Sequence, residues 1–467
     1  MSARPVPPVS AVDRSRPPSG GPVRPFQFPS FLRTTLANGL TVFAARQAEV
    51  PLVSLEVVVP SAGGLYEPQG QPGLTTLTAG LLDEGTARHS SQEIAEQMEQ
   101  MGGYLASSAD WDVAYVATGV LSQHWRSALE ITAEVLSEPT FPTEEVERVR
   151  RQRLTEILRR QQDPNALVDD RLSQELYRGT VYAQPLVGTA ESVASFQRET
   201  FEGFYRRHYS LRGSTLLAVG DLDPEELLRE AEKLFANGPV EDPPEPPQLR
   251  VEPLSGIQVH LVDRPNATQT ELRLGHVGVA RTHPDWRTLT ILNTLLGGKF
   301  TSRINLNLRE RHGYTYGASS RFSPRRQPGL FSVSTSVQTP SAGAAAREVL
   351  SELRQIREEA VGAQELEETL SYIAGVFPYT VQTIGDLLKR LETLAIYDLP
   401  DDYFDAYLRS LPSFTPEQLL DAARRHIAPD RIAIVAAGPA ETLEPQLADL
   451  GPVTVWPADA AAQPAGV

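Results

Sequence analysis

Residues Leu295–Ser320 read LLGGKFTSRINLNLRERHGYTYGASS, and the reading of this block decides the fold of the 467-residue chain. Its opening, Gly297-Gly298-Lys299-Phe300-Thr301, has the look of a phosphate loop. The first glycine and the spacing of a Walker motif are missing, however. What remains is an ordered set: a glycine pair, Ser302-Arg303, Leu308-Arg309-Glu310, and Gly313 followed by two tyrosines. Taken alone, Arg309 reads as a solvated helix cation and Tyr316 as a core aromatic.

Outward from this block the chain alternates strand and helix signals. Leu32 to Leu52 alternates and leads to an apolar run at Val53–Val59, with Asn38-Gly39 as the turn. Helical patterns follow at Gln92–Met101 and at Thr143–Gln161, the second with Thr143 as N-cap and Glu144 and Glu145 in its first turn. Asp223-Pro224 opens another helix, which Asn237-Gly238 ends. Prolines and acids crowd residues 239–253, an extended spacer near the midpoint. Arg206-Arg207-His208 precedes Leu216–Val219 and Gly220; Arg424-Arg425-His426 precedes Ile432–Ala437 and Gly438. The offset is 218 residues, and each copy spans 14 from first Arg to Gly. The fold class is therefore α+β: two duplicated domains of mixed or antiparallel sheet covered by helices. Their expected bounds are 31–238 and 254–456, after a disordered Pro-rich leader at 1–30 and before a flexible tail at 457–467.

Composition narrows the function. A net charge of −16, with 43 Lys+Arg against 59 Asp+Glu, argues against nucleic acid as the main partner. Absence of Cys removes disulfides, thiolate metal sites and thiol nucleophiles. No window approaches 18 apolar residues, so no membrane span is expected. Without the apolar core of a secretory signal, a cytoplasmic location is expected, the periplasm and the true start codon staying open. Eight histidines are present, none paired at i, i+4, so no local zinc signature exists.

The block Leu295–Ser320 resembles the C-terminal signature of the M16 metallopeptidases (pitrilysin, insulinase and mitochondrial-processing-peptidase types). The likeness extends to LANGLTVF at Leu36–Phe43, to AVGDLDPEEL at Ala218–Leu227, and to the duplicated halves, over roughly residues 31–450. By this resemblance the zinc site should lie in GLTTLTAGLLDEGT, Gly73–Thr86, where active members resemble GLAHLLEHMLFKGT. The first His ligand then becomes Thr76, the catalytic Glu becomes Ala79, and the second His becomes Gly80. The third ligand, a Glu on the following long helix, maps to Glu156. Thr76 and Gly80 share a helical face, yet neither can ligate zinc, and Ala79 cannot take a proton.

The Arg/Tyr pair of the family is retained as Arg309 and Tyr316, with Tyr314 competing for the phenol. The resemblance implies that the planar fork of Arg309 serves a peptide carbonyl and that the phenol donates to the oxyanion. The resemblance implies a clam-shell half that carries no metal and no cofactor of its own. It implies a heterodimer with an M16 subunit bearing His-x-x-Glu-His, where the zinc is expected, and an extended peptide as substrate. Alone the chain is expected to be inactive. The alternative is an inactive scaffold or peptide-binding homologue. The natural peptide, the partner's identity and homodimer formation stay open.

Overall fold

The computed structural model describes residues 26–457, and among them twelve strands form two six-stranded sheets. The first holds β1 (Leu32–Thr35), β2 (Thr41–Arg46), β3 (Leu52–Val59), β4 (Tyr104–Ala109), β5 (Ala114–Leu121) and β6 (Thr215–Gly220), in the order β1-β2-β6-β3-β5-β4. The second holds β7 (Gln258–Asp263), β8 (Gln269–Val277), β9 (Ala318–Phe322), β10 (Leu330–Gln338), β11 (Ala433–Gly438) and β12 (Val453–Pro457), in the order β12-β7-β11-β8-β10-β9. The pairings repeat. β2 runs parallel to β6 as β7 does to β11, and the antiparallel series β6-β3-β5-β4 matches β11-β8-β10-β9. β6 and β11 stand 218 residues apart at both ends, as do the helices Arg198–His208 and Pro416–His426 before them. Only the outer edge differs: β1 is antiparallel to β2, whereas β12 is parallel to β7.

Local chemistry accounts for the elements. The β1–β2 turn uses Gly39 at φ 90, where a side chain would be strained, and the Asn38 side chain accepts from Leu40 N. Asp223 caps the helix Pro224–Leu234 through Glu225 N and Glu226 N. The long helix Thr143–Arg160 departs from expectation. Its N-cap is Pro142, held extended at φ −58 and ψ 136, so Thr143 is already helical and makes no cap.

The halves interlock. Each central strand, β6 and β11, is buried along its whole length, because both faces of its sheet are covered. One face carries its own half's helices; the other receives a helix from the opposite half. Helix Pro164–Leu176 lies on β8 and β11, burying Leu167, Val168 and Leu172 against Val262, Val435 and Ala437. Helix Ile384–Ile396 lies on β3 and β6, burying Leu387, Leu391 and Leu394 against Phe43, Leu217 and Val219. Each fully buried Leu contributes about 1.5–3 kcal/mol. Arg325, on the β9–β10 connection, sits over the rings of Tyr182 (4.3 Å) and Trp111 (5.1 Å) from the other half.

Two expectations about irregular segments change. The part of the expected leader within the described residues is packed: Phe28 is buried and stacked on Phe404 at 5.1 Å, and Phe28 N donates to Asp405 Oδ1. Aromatic burial against the opposite half outweighs the order-breaking effect of the prolines. The rest of the leader, residues 1–25, and the tail beyond residue 457 lie outside the described residues. Residues 239–253 form neither helix nor strand, although Leu249 and Val251 rest on the core between the halves. No helix among the described residues is long and apolar enough to cross a membrane.

Candidate active site

Arg309 and Tyr316 belong to one continuous segment, anchored by polar side chains. After helix Trp286–Asn293 the chain widens into a π-helical turn over Thr294–Gly298. Gly297 is required there: a Cβ would lie 2.4 Å from Ser320 N of the edge strand β9. Asn305 then ties the segment together, donating to Phe300 O at 2.6 Å and accepting from Ala318 N at 2.9 Å. A second π-helical stretch, Leu306–Arg311, carries Arg309. Gly313 reverses the chain at φ 65, and Thr315 Oγ1 pins the exit to Ser336 O of β10 at 2.7 Å.

The geometry separates the two tyrosines. Tyr314 stacks on His312 at 5.0 Å between centroids and packs on the core of the second half. Tyr316, between two anchored neighbours, is 92% exposed and is no core aromatic. Arg309 is only half-buried, and its guanidinium lies 4.4 Å above the ring of Phe300, itself 66% exposed. Arg309 Nη1 is shielded from solvent and lies 3.5 Å from Glu310 Oε1, yet it has no hydrogen-bond partner among the described residues. A buried donor without a hydrogen-bond acceptor costs roughly 1–3 kcal/mol. Gly298 also borders a cavity of about 440 Å³ shared with Arg321, Tyr372 and Val376.

The other group of expected site residues is closed. Helix Leu74–Ala79 carries Thr76 and Ala79, with Gly80 as its C-cap. Its N-terminus rests on Glu67, whose Oε1 accepts from Thr75 N at 3.0 Å; burial pushes this carboxyl up to about 8. Thr76 Oγ1 donates to Leu186 O at 3.0 Å and accepts from Arg153 Nη1 at 2.8 Å. The same Arg153 nitrogen donates to Val187 O at 3.1 Å, and Arg153 Nε pairs with Glu156 Oε2 at 3.1 Å. Arg153 thus joins the positions assigned to a first and a third metal ligand, with its side chain only 15% exposed.

A zinc ion does not fit this arrangement. Ala79 and Gly80 offer no donor side chain, the Thr76 hydroxyl is engaged, and a guanidinium already neutralises Glu156. Arg153 and Phe300 went unnoticed in the sequence. Arg153 stands three residues before Glu156, one helical turn away, a spacing that alone suggested no more than a surface ion pair.

Two family models match the chain, one described as "Insulinase (Peptidase family M16)" over residues 41–190 and one as "Peptidase M16 inactive domain" over residues 195–372. Among curated relatives, an "Uncharacterized zinc protease" of Rickettsia bellii is 26% identical over 345 residues, covering 74% of this chain and 82% of that protein. A protein of the same description from Streptomyces coelicolor is 24% identical over 400 residues, covering 84% of this chain and 86% of its own. Among solved structures, a peptidase M16 inactive domain from Pseudomonas fluorescens superposes with a TM-score of 0.81 at 26% identity, covering 88% of this chain and 98% of that one.

Proposed function

We propose that this chain, which belongs to the M16 peptidase family, is the non-zinc subunit of a two-chain peptidase. In that role it binds and polarises the scissile bond of an extended peptide. The observation that carries the reading is the buried Nη1 of Arg309, ion-paired with Glu310 but without a hydrogen-bond acceptor, above the exposed ring of Phe300. In the first half, by contrast, a side chain of this protein takes up the corresponding polar groups.

The chemistry assigned to this chain is positioning and charge stabilisation. An extended peptide pairs with a free sheet edge; β4 and β9 are outermost in their sheets. The guanidinium fork of Arg309 donates to the carbonyl oxygen of the substrate. The phenol of Tyr316 donates to the same oxygen as negative charge develops there. Zinc belongs, on this reading, to the partner subunit carrying His-x-x-Glu-His, where it supplies Lewis-acid chemistry when bound.

Mixing this chain with such a partner should produce peptidase activity that neither shows alone. Arg309→Ala should lower kcat/KM of the mixture by about 10²–10³, the usual cost of one such donor. Full activity with Arg309→Ala favours the second reading, a peptide-binding scaffold, which the plugging of the first-half site by Arg153 also suits.

A further inference from the structure

The Arg-Arg-His triplets end equivalent helices, yet their histidines do different things. His208 is buried and serves the backbone: its Nδ1 lies 2.9 Å from Ser61 O, and Ser61 Oγ donates to His208 O. His426 instead directs Nε2 at Asp285 Oδ2, 2.6 Å away, across to the start of helix Trp286–Asn293. The ring of His283 stands 5.0 Å from the ring of His426, nearly perpendicular to it. One donor atom from each of His283, Asp285 and His426 lies within 4.8 Å of the others. We propose that these three side chains form a divalent metal site, suited to zinc, that clips the two helices together.

The donor set and its dimensions support this. Two imidazoles and one carboxylate are borderline ligands of the kind that hold zinc, leaving a fourth position to water. Bond lengths of 2.0–2.2 Å place tetrahedral donors roughly 3.3 Å apart. The observed separations lie on either side of that: 2.6 Å from His426 Nε2 to Asp285 Oδ2, and 4.0 Å from His283 Nδ1 to the same oxygen. Side-chain rotation is what brings them to one spacing. His283 Nδ1 accepts from Asp285 N at 3.1 Å, so its lone pair is unprotonated and is exchanged from that bond to the ion. His426 binds the ion through the Nε2 lone pair of its neutral ring, with the ring proton on Nδ1.

Arg425 completes the picture. Its Nη1 lies 2.9 Å from Asp285 Oδ2 and its side chain is largely exposed. It acts as the cation of the metal-free state and turns outward when the ion takes the oxygen. Because helix Trp286–Asn293 begins next to Asp285 and leads into Gly297, Gly298 and Arg309, the ion fixes the root of the segment assigned to substrate. The site is structural and lies in the half opposite Thr76 and Glu156.

Titrating the metal-free full-length chain with zinc chloride by calorimetry, and with cobalt chloride by visible absorption, tests the proposal. One equivalent should bind, and cobalt should give the intense d–d bands of a tetrahedral site. His426→Ala and His283→Ala should each weaken binding at least about tenfold, Arg425→Ala should not weaken it, and Glu156→Gln should leave it unchanged. Circular dichroism checks each fold, and His283→Ala, at a half-exposed residue, remains decisive if His426→Ala unfolds. No uptake above a buffer blank overturns the site, as does uptake that survives both histidine variants or is lost with Glu156→Gln.

Discussion

Helix Leu74–Ala79 with its neighbour Arg153, and the segment Leu306–Tyr316 of the second half, stand in contrast. In the first, the polar groups at the assigned ligand positions are engaged within the chain, while the buried Glu67 Oε2 beside them has no hydrogen-bond partner among the described residues. Thr76 Oγ1 has a donor and an acceptor, and Arg153 spans Thr76, Val187 and Glu156. In the second, Arg309 keeps a buried donor without a hydrogen-bond acceptor and Tyr316 projects into solvent. By the family resemblance both regions correspond to sites arranged around a peptide bond. On the proposed reading, the difference teaches how a lost site and a kept one can be told apart: in the lost site an Arg of the chain takes up the ligand positions, whereas the kept one holds a donor that a ligand can pair.

That comparison can be broken from either side. Arg153→Ala should cost about 1–3 kcal/mol in urea unfolding, because it leaves the Thr76 hydroxyl oxygen and Val187 O without their donor. A loss below about 0.5 kcal/mol would mean that the closed region is an ordinary surface ion pair.

Glu56 on β3 sharpens the rule, being an unsatisfied group that is no ligand site. Its Oε1 is buried without a hydrogen-bond partner, under helix Ile384–Ile396 of the opposite half. Burial, with Glu392 close by, pushes its carboxyl up to about 8 from an ordinary 4.5. Here protonation closes the account. The folded state holds the proton between those values while the unfolded chain has lost it, so stability falls as pH rises from about 4.5 to about 8. Glu56→Gln should flatten part of that slope and stabilise the chain at pH 8; Glu67, pushed equally high, retains the rest. An unchanged slope in thermal melts across this range would refute the assignment.

The smallest effect belongs to the open region. Tyr316→Ala should change unfolding free energy by less than about 0.5 kcal/mol, since the ring is exposed. A larger loss would show that Tyr316 is held by the fold and not poised for a ligand.

What the sequence made legible was local. The Asn38-Gly39 turn, the Asp223 cap with Pro224, and the 218-residue repeat each follow from residues within a few positions of one another, and each holds in the structure. The family was legible because Leu295–Ser320 keeps its order of glycines, Arg and Tyr without a break. The capping of Thr143–Arg160 was misread because Thr is the better cap in general, while Pro142 sets the extended entry. The exchange of helices Pro164–Leu176 and Ile384–Ile396 had no signal: an amphipathic stripe says that a face is buried, not against which sheet. Arg153 over Thr76 joins positions 77 apart, and His426 meets Asp285 across 141. Such contacts come from the tertiary fold, which periodicity does not encode.

The central claim is that one half of this chain has closed its site while the other keeps it for substrate. The most direct measurement compares Tyr316→Phe with Arg153→Ala in the same partner-supported peptidase assay. Tyr316→Phe, which removes only the hydroxyl, should lower kcat by about 10²-fold with KM little changed, and Arg153→Ala should leave kcat within about threefold. Equal losses in both variants, or a Tyr316→Phe mixture as fast as the unaltered one, would contradict the account.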